Sequence, residues 1–197
     1  MVKYFIALGV FFFSANIAQA TCLSGATCSA ATSYEITINQ VEFCKSSACT
    51  DSVIVASTAE AFDIADSAAG AAVGNYADLD DVAAGVYTHV KTTIDGDISF
   101  LAPAAGSCAA RTSTAAVNAA TADIQTALAL PANASFGLSV VGSDLVHTYE
   151  LTRPLTISKA GSLPQVQIDF STSAGHQCVS SVSYPGIPSV TIRVFEN

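Results

Sequence analysis

The sequence predicts an all-β fold: an antiparallel β-sandwich with Greek-key-like connections and one short Ala-rich helix or excursion near residues 113–130. Three observations support this prediction. Apolar and polar residues alternate in many short segments, Gly, Pro and Ser separate those segments, and six cysteines are spaced as in a disulfide framework. Roughly nine or ten short strands in one domain are typical of a sandwich.

Residues 1–20 are expected to be a removed export signal. Lys3 precedes an apolar run from Tyr4 to Phe13, and Ala18-Gln19-Ala20 offers the small residues of a cleavage site. The run is well short of the roughly 20 residues that span a bilayer, which disfavours a retained anchor. We therefore expect residues 21–197 to form a single disulfide-stapled domain that is secreted, periplasmic or on the cell surface, without membrane insertion after signal removal.

Composition excludes several classes of protein. The formal net charge of −9 argues against nucleic acid, whose phosphates require a basic surface, and against docking on anionic lipid. A chain that is 51% hydrophobic and only 12% charged is not a disordered one. Much of the hydrophobic fraction is alanine, so we expect cystines to support a thin core.

The segment VEFCKSSACTDS, residues 41–52, places four residues between Cys44 and Cys49. No second matching pair follows, as a zinc site would need, and a thioredoxin-type motif has two intervening residues. A structural cystine is therefore the favoured interpretation. Six cysteines allow many pairings. Closure of short loops favours pairing Cys22 with Cys28 and Cys44 with Cys49, and elimination then leaves Cys108 with Cys178. The predicted disulfides are Cys22–Cys28, Cys44–Cys49 and Cys108–Cys178.

The N-terminal half contains two long alternating segments. YEITINQVEF, residues 34–43, changes phase after Ile38, which predicts a β-bulge near Asn39 and Gln40. GVYTHVKTTIDGDISFL, residues 85–101, is expected to place its valines on one face and its Tyr, His and Lys on the other, followed by a hairpin turn at Asp95-Gly96. Shorter strands are predicted at VIVA and EAFDIA.

The C-terminal half continues the alternation after one interruption. Residues 113–130 are Ala-rich, with apolar residues three or four apart and Pro131 after them, which predicts a helix, with an extended connection as the alternative. Short strands are predicted at SFGLSVV, LVHTYELT and LTIS. VQIDF and VTIRVF, residues 166–170 and 190–195, alternate strictly and predict two half-buried strands.

Motifs for chemistry are scarce. The sequence lacks a Gly-x-Ser-x-Gly elbow, a phosphate-binding Gly-Lys loop and a His-Glu-x-x-His pair, so we predict no catalytic residue and no cofactor. His89 is expected to be a solvated strand residue, and His147 and His176 are isolated; a zinc site built from all three is disfavoured. Three clustered carboxylates in NYADLDD are the candidates for calcium, although a solvated loop is favoured: Asp78, Asp80 and Asp81.

VEFCKSSACTDS, FDIA at residues 62–65 and GVYTHVKTTI at residues 85–94 together resemble a group of uncharacterised exported bacterial proteins. The last segment is also loosely similar to a strand of prealbumin-like surface domains. The resemblance spans about residues 33–101 and implies a secreted β-sandwich, with no activity to carry over.

Two classes of function remain open, and an enzyme of unfamiliar type is a third, less favoured class. The first is a structural or surface-assembly protein, such as a matrix, pilus-like or envelope subunit, without catalytic activity and self-associating through edge strands. The alternative is an extracellular recognition module, with glycans as the ligand class. Absence of Trp reduces the stacking surface that glycan binding commonly uses.

Overall fold

The computed structural model describes residues 22–65, 82–120, 138–158 and 165–195. These residues form antiparallel β-structure without an α-helix, which confirms the all-β prediction. The predicted export signal, residues 1–20, lies outside them. In chain order the strands are β1 (Thr27–Ser29), β2 (Ser33–Cys44), β3 (Ser52–Ala56), β4 (Glu60–Asp63), β5 (Gly85–Asp95), β6 (Asp97–Leu101), β7 (Val117–Asn118), β8 (Leu138–Val141), β9 (Asp144–Ile157), β10 (Gln165–Ser171), β11 (His176–Val179), β12 (Val182–Pro185) and β13 (Ser189–Phe195).

Strand β2 is the centre of the large sheet. Strands β3 and β4 pair in succession along one side of it, and β5 and β6 pair in succession along the other. Strand β9 follows outside β5, β8 pairs with β9, and β7 pairs with β6. The sheet is therefore bordered by β3 and β4 on one side and by β8 on the other.

The phase change in β2 is a β-bulge, as predicted. The register between β2 and β5 shifts between Ile38 and Gln40. Ile36 and Ile38 before the shift are buried, and so are Val41 and Phe43 after it. One extra residue thus keeps both halves of the strand facing the same core.

The predicted hairpin at Asp95-Gly96 is wrong. Strands β5 and β6 run in the same direction along β2, so this dipeptide interrupts one long strand instead of reversing it. The Gly96 N–H donates to Ser143 O at 3.1 Å, and a Cβ at Gly96 would collide with that same oxygen. Glycine is required at position 96 because the backbone at Ser143 approaches it closely. In the sequence, the resulting Asp-Gly pair looks the same as one that forms a hairpin turn. A two-residue hairpin turn does occur at Gly142-Ser143, where Gly142 has φ +65°.

The predicted faces of β5 are also wrong at its start. Tyr87 is 2% exposed and packs with Phe43, whereas Val86 is 51% exposed. The register with β9 shifts between Tyr87 and His89. This second bulge reverses the alternation and places Tyr87 in the same core as Val90.

Two smaller sheets complete the sandwich. Strands β10 and β13 pair over their whole length, which confirms the two alternating C-terminal segments as strands, and β1, β11 and β12 form a three-stranded sheet. Ile192 and Val194 of β13 join the core of the large sheet. The Tyr34 hydroxyl donates to Gly186 O at 2.6 Å, which ties the large sheet to the segment after β12.

The helix predicted for residues 113–130 is wrong in its first part. Val117 and Asn118 form β7, paired with Ile98 and Asp97 of β6. Pairing with the end of a sheet strand outweighs the weak helix propensity of alanine in this stretch. Residues 121–130 lie outside the described part of the chain. The alternative of an extended connection therefore describes residues 113–118 better.

The three disulfides are those favoured from the sequence: Cys22–Cys28, Cys44–Cys49 and Cys108–Cys178, with Cα–Cα distances of 5.9, 4.9 and 5.8 Å. The third spans 70 residues and fastens the loop after β6 to β11. Its two cysteines and Ala105 form a small buried cluster of their own. Within the ranges described, no helix is long and apolar enough to cross a membrane.

Candidate functional site

A groove of about 530 Å³ lies between strand β9 and strand β13. The two strands share no backbone ladder among the described residues; side chains of β9 bridge them instead. The Thr152 hydroxyl donates to Ile192 O at 3.2 Å, and Arg153 Nε donates to Val194 O at 2.8 Å. These bonds close one end of the gap and leave the rest open. The lining residues are Ser47, His89, His147, Thr148, Tyr149, Glu150, Thr152, Val190, Thr191 and Ile192.

The loop closed by the Cys44–Cys49 disulfide supplies one wall of the groove through Ser47. Local contacts fix the loop: Lys45 N–H donates to Asp51 O at 3.1 Å, and Lys45 Nζ pairs with the Asp51 carboxylate at 2.9 Å. Cys49 closes the loop with a positive φ of 52°. The cystine predicted from VEFCKSSACTDS thus positions part of a surface groove.

Hydrogen bonds of the same loop fix the orientation of His89. The Thr88 hydroxyl donates its single proton to Lys45 O at 2.9 Å, because a carbonyl can only accept. It must therefore accept from His89 Nδ1, which lies 2.8 Å away. When the imidazole is neutral, its Nδ1 carries the proton and its Nε2 is the hydrogen-bond acceptor. His89 was expected to be solvated; it is half-buried at the groove, directly across from Glu150 on β9.

His147 and Tyr149 form the inner part of the groove lining. Burial lowers the pKa of His147 to about 4, because desolvation penalises the imidazolium. Burial raises the pKa of Tyr149 far above its usual value, and a hydrogen bond with Thr92 only partly opposes this. The two rings lie 3.6 Å apart between centroids. Both side chains are therefore neutral at pH 7 and contribute an uncharged wall.

A partly buried ion pair joins strands β2 and β5. Lys91 Nζ contacts Glu42 Oε1 at 2.7 Å, and the Ser52 hydroxyl donates to Glu42 Oε2 at 2.7 Å. Desolvation acts to raise the pKa of Glu42, but these hydrogen bonds and the Lys91 charge outweigh it, so the pKa is lowered. Both carboxylate oxygens have partners, which makes this pair a structural element of the sheet.

His176 has a structural role. It is fully buried, and its Nδ1 donates to Pro103 O at 3.0 Å while its Nε2 lies 3.0 Å from the Ser183 hydroxyl. Ser29 of β1 also contacts the ring at 3.2 Å. These contacts join the loop after β6 to the three-stranded sheet. Among the residues that the structure describes, no group of three or more His, Cys, Asp or Glu side chains is arranged to hold a metal ion.

The structure describes only some of the site residues that were predicted from the sequence. All six cysteines are in disulfides. The calcium candidates Asp78, Asp80 and Asp81 lie outside the described residues. Sequence reasoning missed the groove, because its walls come from distant parts of the chain and from the second bulge of β5. The one local signal was the cystine loop itself.

Comparison with family models, curated proteins and solved structures gives no match for this chain.

Proposed function

We propose that this chain is an exported structural or surface-assembly protein, without catalytic activity, that self-associates through edge strand β3. A single observation carries the proposal: β3, Ser52–Ala56, is an uncharged apolar strand at the border of the large sheet. Among the described residues its only strand partner is β2. The three disulfides support an oxidising, extracellular environment.

Strand β3 lacks two of the features that usually protect a sheet edge, although its ladder with β2 shifts register between Ile54 and Ala56. Charged residues and Pro commonly block edge-to-edge pairing, and SVIVA contains neither. Ile54 is 56% exposed at the centre of the strand, while Val53 and Val55 pack against the core. The outer edge of β3 therefore combines available backbone groups with a β-branched, exposed side chain.

The occupant that fits this edge is β3 of a second copy. Two-fold antiparallel pairing centred on Ile54 would place Ile54 beside its counterpart and Val53 opposite Val55. No like charges would face each other within the five paired residues, although the whole chain has a net charge of −9. Strand β13, by contrast, already pairs with β10 along its length, so exchange of the C-terminal strand is the weaker route.

The test is Ile54→Lys in the full mature chain, with Val86→Lys as the matched control. Val86 is similarly exposed, at 51%, but it pairs with Thr156 of β9 and lies on β5, which β2 separates from β3. Analytical ultracentrifugation should show a concentration-dependent dimer or larger species for the wild type and for Val86→Lys, and a monomer for Ile54→Lys. Circular dichroism should show all three folded. A monomeric wild type at every concentration, or equal loss of assembly in both variants, contradicts the proposal.

A further inference from the structure

The groove between β9 and β13 combines the apolar side chains of Val190 and Ile192 with polar groups of one chemical type. Its side chains offer hydroxyl groups from Ser47, Thr148 and Thr191, the carboxylate of Glu150 and the Nε2 acceptor of His89. Among the residues that the structure describes, no Lys or Arg belongs to this lining. These groups can accept hydrogen bonds from a ligand, and the Ser and Thr hydroxyl groups can also donate hydrogen bonds to it. The described side chains of the lining provide no cation for a phosphate or carboxylate ligand.

The net charge of the whole chain also disfavours anionic ligands. A net charge of −9 repels anionic ligands at long range, and Glu150 repels them at short range. The inner wall, formed by His147 and Tyr149, is uncharged at pH 7. A volume of about 530 Å³ is in the range of small-molecule sites and suits a ligand of two or three sugar rings.

An extended peptide fits the groove less well. A peptide that adds to a sheet edge needs the backbone carbonyl groups of that edge along several residues. Here Thr152 and Arg153 already occupy the carbonyl oxygens of Ile192 and Val194, and they hold the two strands together at that end. Only the part of the groove away from these two hydrogen bonds remains open, which favours a compact ligand.

From these features we propose that the groove binds a neutral oligosaccharide. Sugar hydroxyl groups donate to His89 Nε2 and to the Glu150 carboxylate, and they accept hydrogen bonds from the Ser and Thr hydroxyl groups of the lining. The Cys44–Cys49 loop positions the site, because it supplies Ser47 and fixes His89 through Lys45 O and Thr88. This binding site is independent of the β3 edge, and either proposal can fail without the other.

Four uncharged hexasaccharides serve as probes: those of cellulose, xylan, mannan and chitin. Titration of the mature chain, followed by calorimetry and by amide NMR shifts, should show saturable binding of at least one, with shifts at His89, Glu150 and Thr191. His89→Phe and Glu150→Gln should each weaken that binding roughly tenfold, because each removes one strong hydrogen-bond acceptor. Glu60→Gln, an exposed change on β4, is the matched control and should bind as the wild type.

Three outcomes overturn the inference. The first is that none of the four probes binds. The second is that a probe binds but its NMR shifts map away from the groove. The third is that oligogalacturonate, an anionic sugar, binds more tightly than the neutral probes. The Ile54→Lys variant should retain sugar binding whatever its assembly state, which separates this result from that of the assembly experiment.

Discussion

His147 makes the folded chain sensitive to acid, and the size of the effect follows from its burial. Its side chain is on the inner face of β9, only 7% exposed, and its pKa is lowered to about 4 from the ordinary value of 6.5. The unfolded chain therefore binds more protons than the folded chain as the pH falls from 6.5 to 4. The stabilisation by neutral His147 is fully present above pH 6.5 and is lost as the pH falls towards 4.

The magnitude follows from linkage. With pKa values of 6.5 in the unfolded chain and about 4 in the folded chain, lowering the pH from 8 to 4 removes about 3 kcal/mol of unfolding free energy through this single group. Other titrating groups add their own pH dependence. His147→Phe retains an aromatic ring at the same position without a titrating group, so the difference between wild type and variant isolates His147.

The assay is urea unfolding at several pH values between 8 and 4. We expect the wild type to lose about 3 kcal/mol more than His147→Phe over this range. The imidazole signal of His147, followed by NMR, should titrate near pH 4. Equal pH dependence of the two proteins, or titration of His147 near 6.5, would refute the reasoning from burial.

Three further predictions concern stability. Replacing Cys108 and Cys178 by Ala should lower the unfolding free energy by about 4 kcal/mol, against about 2 for Cys44 and Cys49, because the closed loops span 70 and 5 residues; equal losses in urea unfolding would contradict the loop-closure account. Gly96→Ala should lower the unfolding free energy by more than about 2 kcal/mol, because the new Cβ meets Ser143 O. Gly142→Ala should lower it by only about 1 kcal/mol, because that site has open space and only its φ of +65° is unfavourable. Thermal unfolding of both variants distinguishes the effect of the contact from that of backbone conformation. Lys91→Met should cost about 2 kcal/mol at pH 7, because the partly buried Glu42 carboxylate loses its cation. Urea unfolding should show this loss shrinking at acidic pH, where Glu42 becomes protonated; a loss independent of pH would indicate lost packing instead.

Local patterns predicted the strands well and their arrangement less well. The phase change after Ile38 was visible as a spacing, so the first bulge could be predicted. The bulge between Tyr87 and His89 leaves no such mark, because the residues around it suit either face. Asp95-Gly96 resembles a hairpin turn, yet glycine is needed there because Ser143, in the turn between β8 and β9, approaches its backbone closely. Local preference determined the elements; tertiary contacts determined which of them meet.

The candidate site depended on tertiary contacts even more. Only the cystine loop could be predicted, since two cysteines in a short polar segment close a loop wherever the chain goes. That His89 faces this loop, and that Glu150 lies across from it, follows from the pairing of β2, β5 and β9 in one sheet. A histidine with ordinary neighbours in the sequence gives no sign of a fixed tautomer.

The two proposed surfaces are separated within the same sheet, and this separation has a functional consequence. Strands β2 and β5 lie between β3 and β9, so a partner strand paired to the outer side of β3 is four strand spacings, roughly 19 Å, from the backbone of β9. Two-fold pairing at β3 would therefore leave both grooves open, one at each side of the dimer. A dimer with two open grooves can bind two sugar chains of one surface, and the second binding event then occurs at a high effective concentration. We accordingly expect Ile54→Lys to bind a soluble hexasaccharide like the wild type but to dissociate faster from a surface coated densely with the same sugar, whereas equal dissociation rates on that surface would show that assembly and recognition are not coupled.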